Sequence, residues 1–330
     1  MRKGLLLYNP AAGRFPVRRH VRGIITPLND AGWNMDIAET LSGTHAVQTA
    51  HQAAQEKYDA VFAIGGDGTV GQVASGLIHT ETALGVLPAG TVNVWALEQG
   101  QKPYSWWQPG NLKENAKLLS NVEPQYVDVG DCNDQPFLLW AGVGLDAHTI
   151  NKIEPRPRIF KHIAFPHYFV TTVWEATFWH GLDLRIYAEG KLVEGHYLVA
   201  VATNIRHYAG GQSLISPNAL LDDNEMDLWL LSGSNVADAL RHYFDLVAGR
   251  HLTSEEARCI PFHHVTIESD ANFSIQVDGD PMLGGHKAEI KVKHRALKVL
   301  VPENALYLLK HRRDNMDLKP YLNRFVIVGS

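Results

Sequence analysis

The stretch that most constrains this chain is "AVFAI" (60–64), which runs straight into Gly65-Gly66-Asp67-Gly68. An unbroken apolar run of that length suits a parallel strand covered on both faces. The turn that follows is costly in backbone entropy, so it must serve a close approach that a side chain would block. Beyond it Val70, Val73, Ala74, Leu77 and Ile78 recur along one helical stripe. The same rhythm holds on either side. "LLLY" (5–8) precedes a stripe of Val17, Val21, Ile24, Ile25 and Leu28, and "NMDIAET" (34–40) precedes Ala46, Val47, Ala50, Ala53 and Ala54. "LGVLP" (84–88) leads into a short helix from about Val92. This βαβαβαβ order predicts a mostly parallel sheet with helices on its faces.

The pattern changes near "QYVDVGDCNDQPFLLW" (125–140), where "DCND" reads as a hairpin turn. Beyond it antiparallel strands are expected at 183–190, 191–203, 225–233, 264–269, 273–279 and 296–302. Helices are expected at 159–181 and at 234–249, the latter with Val236, Leu240, Tyr243, Phe244 and Val247 on one face. The fold class is therefore α/β, with a mostly parallel α/β domain at 1–130 and a larger, mostly antiparallel β-rich domain at 131–304. A tail (305–330) ends in the apolar "FVIVG", which is a candidate for a returning strand or a homodimer contact.

Composition narrows the function. A net charge of −5 over 330 residues argues against nucleic acid as a partner. Two cysteines exclude a disulfide framework and a cysteine-rich zinc site, and fit a cytoplasmic location. The 17 histidines are scattered, with no HExxH pattern. The N-terminal apolar run is too short for a signal peptide, and no run is long enough for a transmembrane segment.

In an open α/β sheet, ligands bind beyond the carboxyl ends of the strands, at helix N-termini. Gly65, Gly66, Gly68 and Thr69 occupy such a place, where free N–H groups favour a phosphate. Asp67 would repel phosphate unless a divalent cation bridged them, which suggests a metal-nucleotide complex. The alternative is a tight strand-to-helix turn in which Asp67 is only a helix cap. The pattern is neither GxxxxGK[ST] nor GxGxxG with a distant acid.

GGDGT after a buried strand is found in diacylglycerol, sphingosine, ceramide and NAD kinases and in phosphofructokinases. Along almost its whole length the chain resembles the soluble, bacterial-type diacylglycerol kinase family of lipid kinases. The residues that carry the resemblance are "YNPAAGR" (8–14), "ETLSGTHA" (39–46), "GGDGTVGQVASGL" (65–77), "LGVLPAGTVNVWA" (84–96), "VDVG" (127–130), "WAGVGLDA" (140–147), "GGQSLISPNALLDDNEMDLWLL" (210–231) and "VDGDP" (277–281). Their order and spacing make the match specific. The chain departs from the family pattern at Ala12, at Gly71-Gln72 where Asn-Glu is usual, and at Val94 where Asp is usual. It departs again at Asn224 in the Asp-Asp-Gly of one loop, and at Asp280 in place of Glu.

The resemblance implies a diacylglycerol kinase-like fold and an ATP- and Mg²⁺-dependent lipid kinase, with diacylglycerol the leading substrate and phosphatidic acid the product. It implies ATP at Asn9, Gly13, Thr40, Gly65, Gly66, Asp67, Gly68, Thr69, Gly90, Thr91 and Asn93. Mg²⁺ would be held through water by groups such as Asp67, Asn93 and Asp128, with Asp222 and Asp223 either binding a structural Mg²⁺ or standing as solvated loop carboxylates. Asp280 would accept the proton of the lipid hydroxyl, with Asp67 the competing choice of base. Asp278-Gly279 is also a strong type I′ hairpin signal, and a hairpin tip can present a carboxylate.

The aromatic stretch 159–181 is implied to take an acyl chain, with a core helix as the alternative. The substrate implies peripheral contact with the inner face of a membrane. Lys291, Lys293 and Arg295 lie on one strand face, which could touch anionic headgroups or be merely solvated. Two other functions are weighed, an NAD kinase and a nucleotide- or lipid-binding protein that has lost turnover. Against the NAD kinase, no Asn-Glu pair with a matching context follows GGDGT.

Overall fold

The computed structural model describes residues 1–12, 17–105, 107–153 and 171–313. Gly13, the first part of the aromatic stretch and the C-terminal "FVIVG" lie outside the described residues. The chain forms two compact units. Among the described residues, one comprises Met1–Asp128 and residues 294–313, the other Val129–Lys293.

In the first unit the strands are β1 (Arg2–Tyr8), β2 (Trp33–Glu39), β3 (Ala60–Gly65) and β4 (Ala83–Pro88). They pair in parallel in the order β4-β3-β1-β2. Every residue of β3 and β4 is buried, as their unbroken apolar runs require. The helices are α1 (Val21–Asp30), α2 (Gly43–Gln55), α3 (Asp67–Leu77), α4 (Val94–Glu98) and α5 (Asn111–Leu119). Ile24 and Leu28 of α1 and Leu112 and Leu119 of α5 pack with Leu6, Phe62 and Ile64 in one core. Strand order reverses between β1 and β3, so the carboxyl ends of these two strands form the switch point at which such sheets bind ligands.

The second unit begins within β5 (Pro124–Cys132), which turns through Asn133 and Asp134, both at positive φ, into β6 (Gln135–Phe137). This is the expected "DCND" hairpin. There follow β7 (Trp140–Gly144), α6 (Leu145–Ile153), helical turns at 171–176, β8 (Leu182–Ala188) and β9 (Lys191–Thr203). The remaining elements are β10 (His207–Tyr208), β11 (Ser213–Leu214), β12 (Met226–Ser232), α7 (Val236–Ala248), β13 (Ala257–Phe262), β14 (His264–Val277) and β15 (Asp280–Leu300). The pairing is antiparallel along β13-β12-β9-β7-β14-β15, and β8 joins both β9 and β14. Ile186, Ala200, Leu228, Val265 and Ile275 lie in its core.

Three local expectations are corrected. The segment 296–302 is not an antiparallel strand of the second unit: β15 crosses back, and Val299 pairs in parallel with Leu84. The segments 264–269 and 273–279 share one strand, whose register shifts between Glu268 and Phe273. On α7 the buried residues are His242 and Leu246, while Phe244 and Val247 of the expected face are exposed.

Candidate active site

At the carboxyl ends of the parallel strands the chain ties its loops together with short polar contacts. The backbone N–H of Asn9 donates to the Ile64 carbonyl at 3.0 Å. Its side chain accepts from the Ala11 N–H at 2.8 Å and donates to the Thr69 hydroxyl at 3.0 Å. That hydroxyl sits over Gly65, where a Cβ would come within 2.6 Å of it. Thr40, buried, donates its N–H to the Tyr8 carbonyl at 2.9 Å. Asn9, Thr40, Gly65 and Thr69 thus stand where three strands end.

A second loop closes on the first. The Gly65 carbonyl accepts the N–H groups of Ala89 (2.8 Å) and Gly90 (3.1 Å). A Cβ on Gly90 would lie 2.3 Å from the Cα of Gly66, so Gly90 must be glycine for the loops to touch, and a Cβ on Gly66 would crowd Gly90 at 3.2 Å. Asn93, left-handed at φ 61°, accepts the Gly90 N–H at 2.7 Å and donates back to the Gly90 carbonyl at 3.0 Å. Thr91, beside it, is exposed.

Asp67 completes the join. Its carboxylate accepts the Trp95 N–H at 3.1 Å, and the Asn93 and Val94 N–H groups also bond to it. It therefore caps α4, a helix 28 residues further along the chain than Asp67 itself. Burial pushes its pKa above the ordinary carboxylate value, and those N–H groups oppose the rise. Gly68 differs from its neighbours: a Cβ there would meet nothing within 4 Å. The start of α3 therefore presents an open side, with N–H groups that have no carbonyl of their own helix to bond. That geometry suits a phosphate group.

The other carboxylates expected at a metal are engaged elsewhere. Asp128, fully buried on β5, accepts the Arg295 N–H at 2.6 Å and bonds the His294 ring at 2.9 Å. Asp222 is buried, and Asp223 accepts the Glu225 N–H at 3.3 Å around Asn224 at φ 66°. Among the described residues no three His, Cys, Asp or Glu side chains gather as a metal would require. With Asp67 and Asp128 spent on backbone N–H groups, these residues do not fit an ion held directly by the protein.

In the second unit, Asp278 (φ 51°) and Gly279 (φ 85°) form the two-residue turn between β14 and β15, with Val277 opposite Asp280. Positive φ at both positions is the type I′ geometry read from the sequence. Pattern reading missed the use of Asp278. Its carboxylate accepts three consecutive N–H groups, from Leu138 (2.9 Å), Leu139 (2.8 Å) and Trp140 (3.1 Å). The proposed base, Asp280, stands exposed at the start of β15.

The described part of the aromatic stretch divides. Trp179 packs on the core and against the His148 ring, whereas Trp174 and Phe178 are 63% and 65% exposed and meet edge to face. The basic strand face is engaged within the chain: Lys291 and Lys293 both pair with the buried Asp131, and Arg295 lies over the Tyr126 ring. Nothing in the pattern of β5 marks Asp131 as that partner.

Comparison with known proteins gives the family. A diacylglycerol kinase catalytic domain matches residues 3–132, and a YegS C-terminal NAD kinase beta sandwich-like domain matches residues 141–301. A probable YegS-like lipid kinase of Pseudomonas putida is 30% identical over 285 residues, covering 85% of this chain and 89% of its own. The chain belongs to the diacylglycerol kinase and YegS-like lipid kinase family. This is a family of phosphotransferases, as the resemblance implied. Another relative, a diacylglycerol kinase of Bacillus subtilis, is 24% identical over 92% of this chain and 97% of its own. Among solved structures, a putative diacylglycerol kinase from Bacillus anthracis shares the fold with a TM-score of 0.73 at 23% identity, over 92% of this chain and 98% of that one. An NAD kinase from Archaeoglobus fulgidus, solved with ATP, superposes more loosely, with a TM-score of 0.52 at 11% identity over 96% of this chain and 100% of its own. In this chain no described helix is long and apolar enough to cross a membrane.

Proposed function

We propose that this lipid kinase transfers the γ-phosphoryl group of ATP to a lipid hydroxyl, with diacylglycerol the leading acceptor and phosphatidic acid the product. The observation that carries the nucleotide half is the open side of Gly68 at the start of α3, beside the paired glycine loops. ATP phosphates would lie on Gly66, Gly68 and Thr69, with Asn9, Thr40, Gly90, Thr91 and Asn93 shaping the same loops. Asp67 holds those loops rather than the phosphates. The lipid oxygen attacks the γ-phosphorus, its proton passes to Asp280, and the bond to the β–γ bridging oxygen breaks to release ADP. Magnesium would neutralise charge on the nucleotide's phosphates, with carboxylates such as Asp67 and Asp128 reaching it through water.

The acceptor end rests on the family and on the exposed Trp174 and Phe178, aromatic side chains of the kind that settle at membrane–water interfaces. A peripheral encounter with the cytoplasmic face of a membrane follows from a lipid acceptor.

The test is transfer from labelled ATP to a panel of diacylglycerol, ceramide, sphingosine and monoacylglycerol in mixed micelles, with NAD as soluble control. Transfer to one lipid, lost in Asp280→Asn, is expected. Transfer to NAD alone would replace this reading with an NAD kinase. ATP binding without any transfer would replace it with a binding protein, consistent with Val94 and Gln72 at positions where the family carries acidic residues.

A further inference from the structure

Below the turn that carries Asp280 lies a buried polar link. Gln276, fully buried near the end of β14, accepts the Gly279 N–H at 3.0 Å through its side-chain oxygen. Through its side-chain nitrogen it donates to the carboxylate of Asp146 at 2.9 Å. Asp146 is itself buried, on the first turn of α6. The chain makes room for this pair with Gly142 on β7, where a Cβ would stand 2.8 Å from the Gln276 nitrogen and 3.1 Å from Asp146. A buried amide bonded at both ends to a carboxylate and a turn N–H is expensive to disturb, because each partner would be left unpaired away from water.

The tip does not need this link to be a hairpin. The Asp278-Gly279 turn sets the type I′ geometry by itself, and the three N–H groups bonded to Asp278 anchor its first residue. Gln276 holds a different atom: the N–H of Gly279, one peptide before Asp280. We propose that Gln276 and Asp146 are positioning residues for Asp280, fixing the peptide that carries the proposed base through a link that runs back to α6. This rests on the reading of Asp280 as base. Misplacement of a reacting group by about 1 Å costs on the order of a hundredfold in rate, so such a link has chemical value beyond stability.

The chemistry of the link permits a paired substitution. Gln276→Glu keeps an acceptor for Gly279 but sets a second carboxyl against Asp146, so at a pH high enough to ionise both, where the rates and exchange are read, it breaks the link by repulsion. Asp146→Asn keeps an acceptor for Gln276 and leaves the link intact. In the double variant Gln276→Glu/Asp146→Asn the new asparagine donates to the new glutamate, and the link re-forms with its polarity reversed. Initial rates should show kcat roughly a hundredfold lower in Gln276→Glu with the KM for ATP unchanged, near wild type in Asp146→Asn, and recovered at least tenfold in the double variant.

Amide hydrogen exchange at Gly279, read in the full-length protein, is the second measurement and does not depend on turnover. Its protection should fall in Gln276→Glu and return in the double variant. Gln276→Leu, which keeps the packed volume, serves if Gln276→Glu does not fold, and should lose the same protection. Wild-type kcat together with unchanged Gly279 protection in either single variant at Gln276 overturns the proposal. Loss of protection with kcat unchanged overturns it as well, since the link would then be purely structural. If Asp280→Asn keeps full activity the base reading fails instead, and the exchange data still report whether the link holds the tip.

Discussion

The two glycine turns of this protein look alike in sequence and are built in opposite ways. Each sets an aspartate beside glycine at the end of a strand, Asp67 after β3 and Asp278 after β14. In both, that aspartate accepts backbone N–H groups from a distant segment: Asn93 to Trp95 in one case, Leu138 to Trp140 in the other. The difference lies in what the turn leaves outward. At the first it is bare backbone, the open side of Gly68. At the second it is a side chain, the exposed Asp280. An acidic residue inside such a turn can thus be architecture, while the proposed chemistry falls to its neighbour.

The largest expected effect tests the shared part of this comparison. Asp278→Ala leaves three N–H groups without their acceptor and places a non-glycine residue without a polar side chain at φ 51°. It should destabilise the protein by about 3 kcal/mol or more in urea unfolding, and Asp278→Asn by roughly half as much. An Asp278→Ala protein as stable as wild type would show that the clamp is not what holds this turn. Asp67→Ala, which uncaps only a short helix, should cost about 1–2 kcal/mol in the same assay.

The remaining glycines sharpen the contrast. Gly90→Ala sets a Cβ against the Gly66 backbone and should cost about 1–3 kcal/mol. Gly68→Ala meets nothing and lies in the first turn of α3, so it should be neutral or stabilise by about 0.5–1 kcal/mol. The same methyl group would stand where phosphate is proposed to lie, so ATP affinity measured by calorimetry should fall at least tenfold. A Gly68→Ala protein that binds ATP like wild type would remove the phosphate cradle from this face of the turn.

Much of the scaffold was legible because its signals are local. The parallel strands are continuous apolar runs, and Asp278-Gly279 announces its turn by itself. Helix α5 is polar enough that Leu112, Ala116 and Leu119 do not stand out, and β13 carries Pro261 and exposed residues. The return of β15 to Leu84 could not be read, because a strand's own pattern does not name its partner. The same limit governs the sites. GGDGT locates a strand-to-helix turn open to a ligand, but that Asp67 caps α4, Asp131 pairs with Lys293 and Gln276 reaches Asp146 are facts of contact between distant segments. The amphipathic stripe of α7 is the exception. The signal is local, yet the helix buries His242 and Leu246 instead, and nothing in the structure explains the exposure of Phe244 and Val247.

The smallest effect reads the buried carboxyl of Asp67 through pH. Burial holds the Asp67 carboxyl above its ordinary value of 3.8. A carboxyl whose folded pKa is raised binds its proton more tightly in the folded protein, so its contribution to stability is greatest below pH 3.8. That contribution fades as pH climbs through the raised value. Asp67→Asn cannot titrate and keeps an acceptor for the N–H groups of α4. The stability of wild type relative to Asp67→Asn should therefore decline as pH rises from about 4 toward neutrality in paired thermal melts. The opposite slope would mean that the N–H groups of Asn93, Val94 and Trp95 outweigh burial. Asp67 would then be an ordinary stabilised anion, like any carboxylate at the start of a helix.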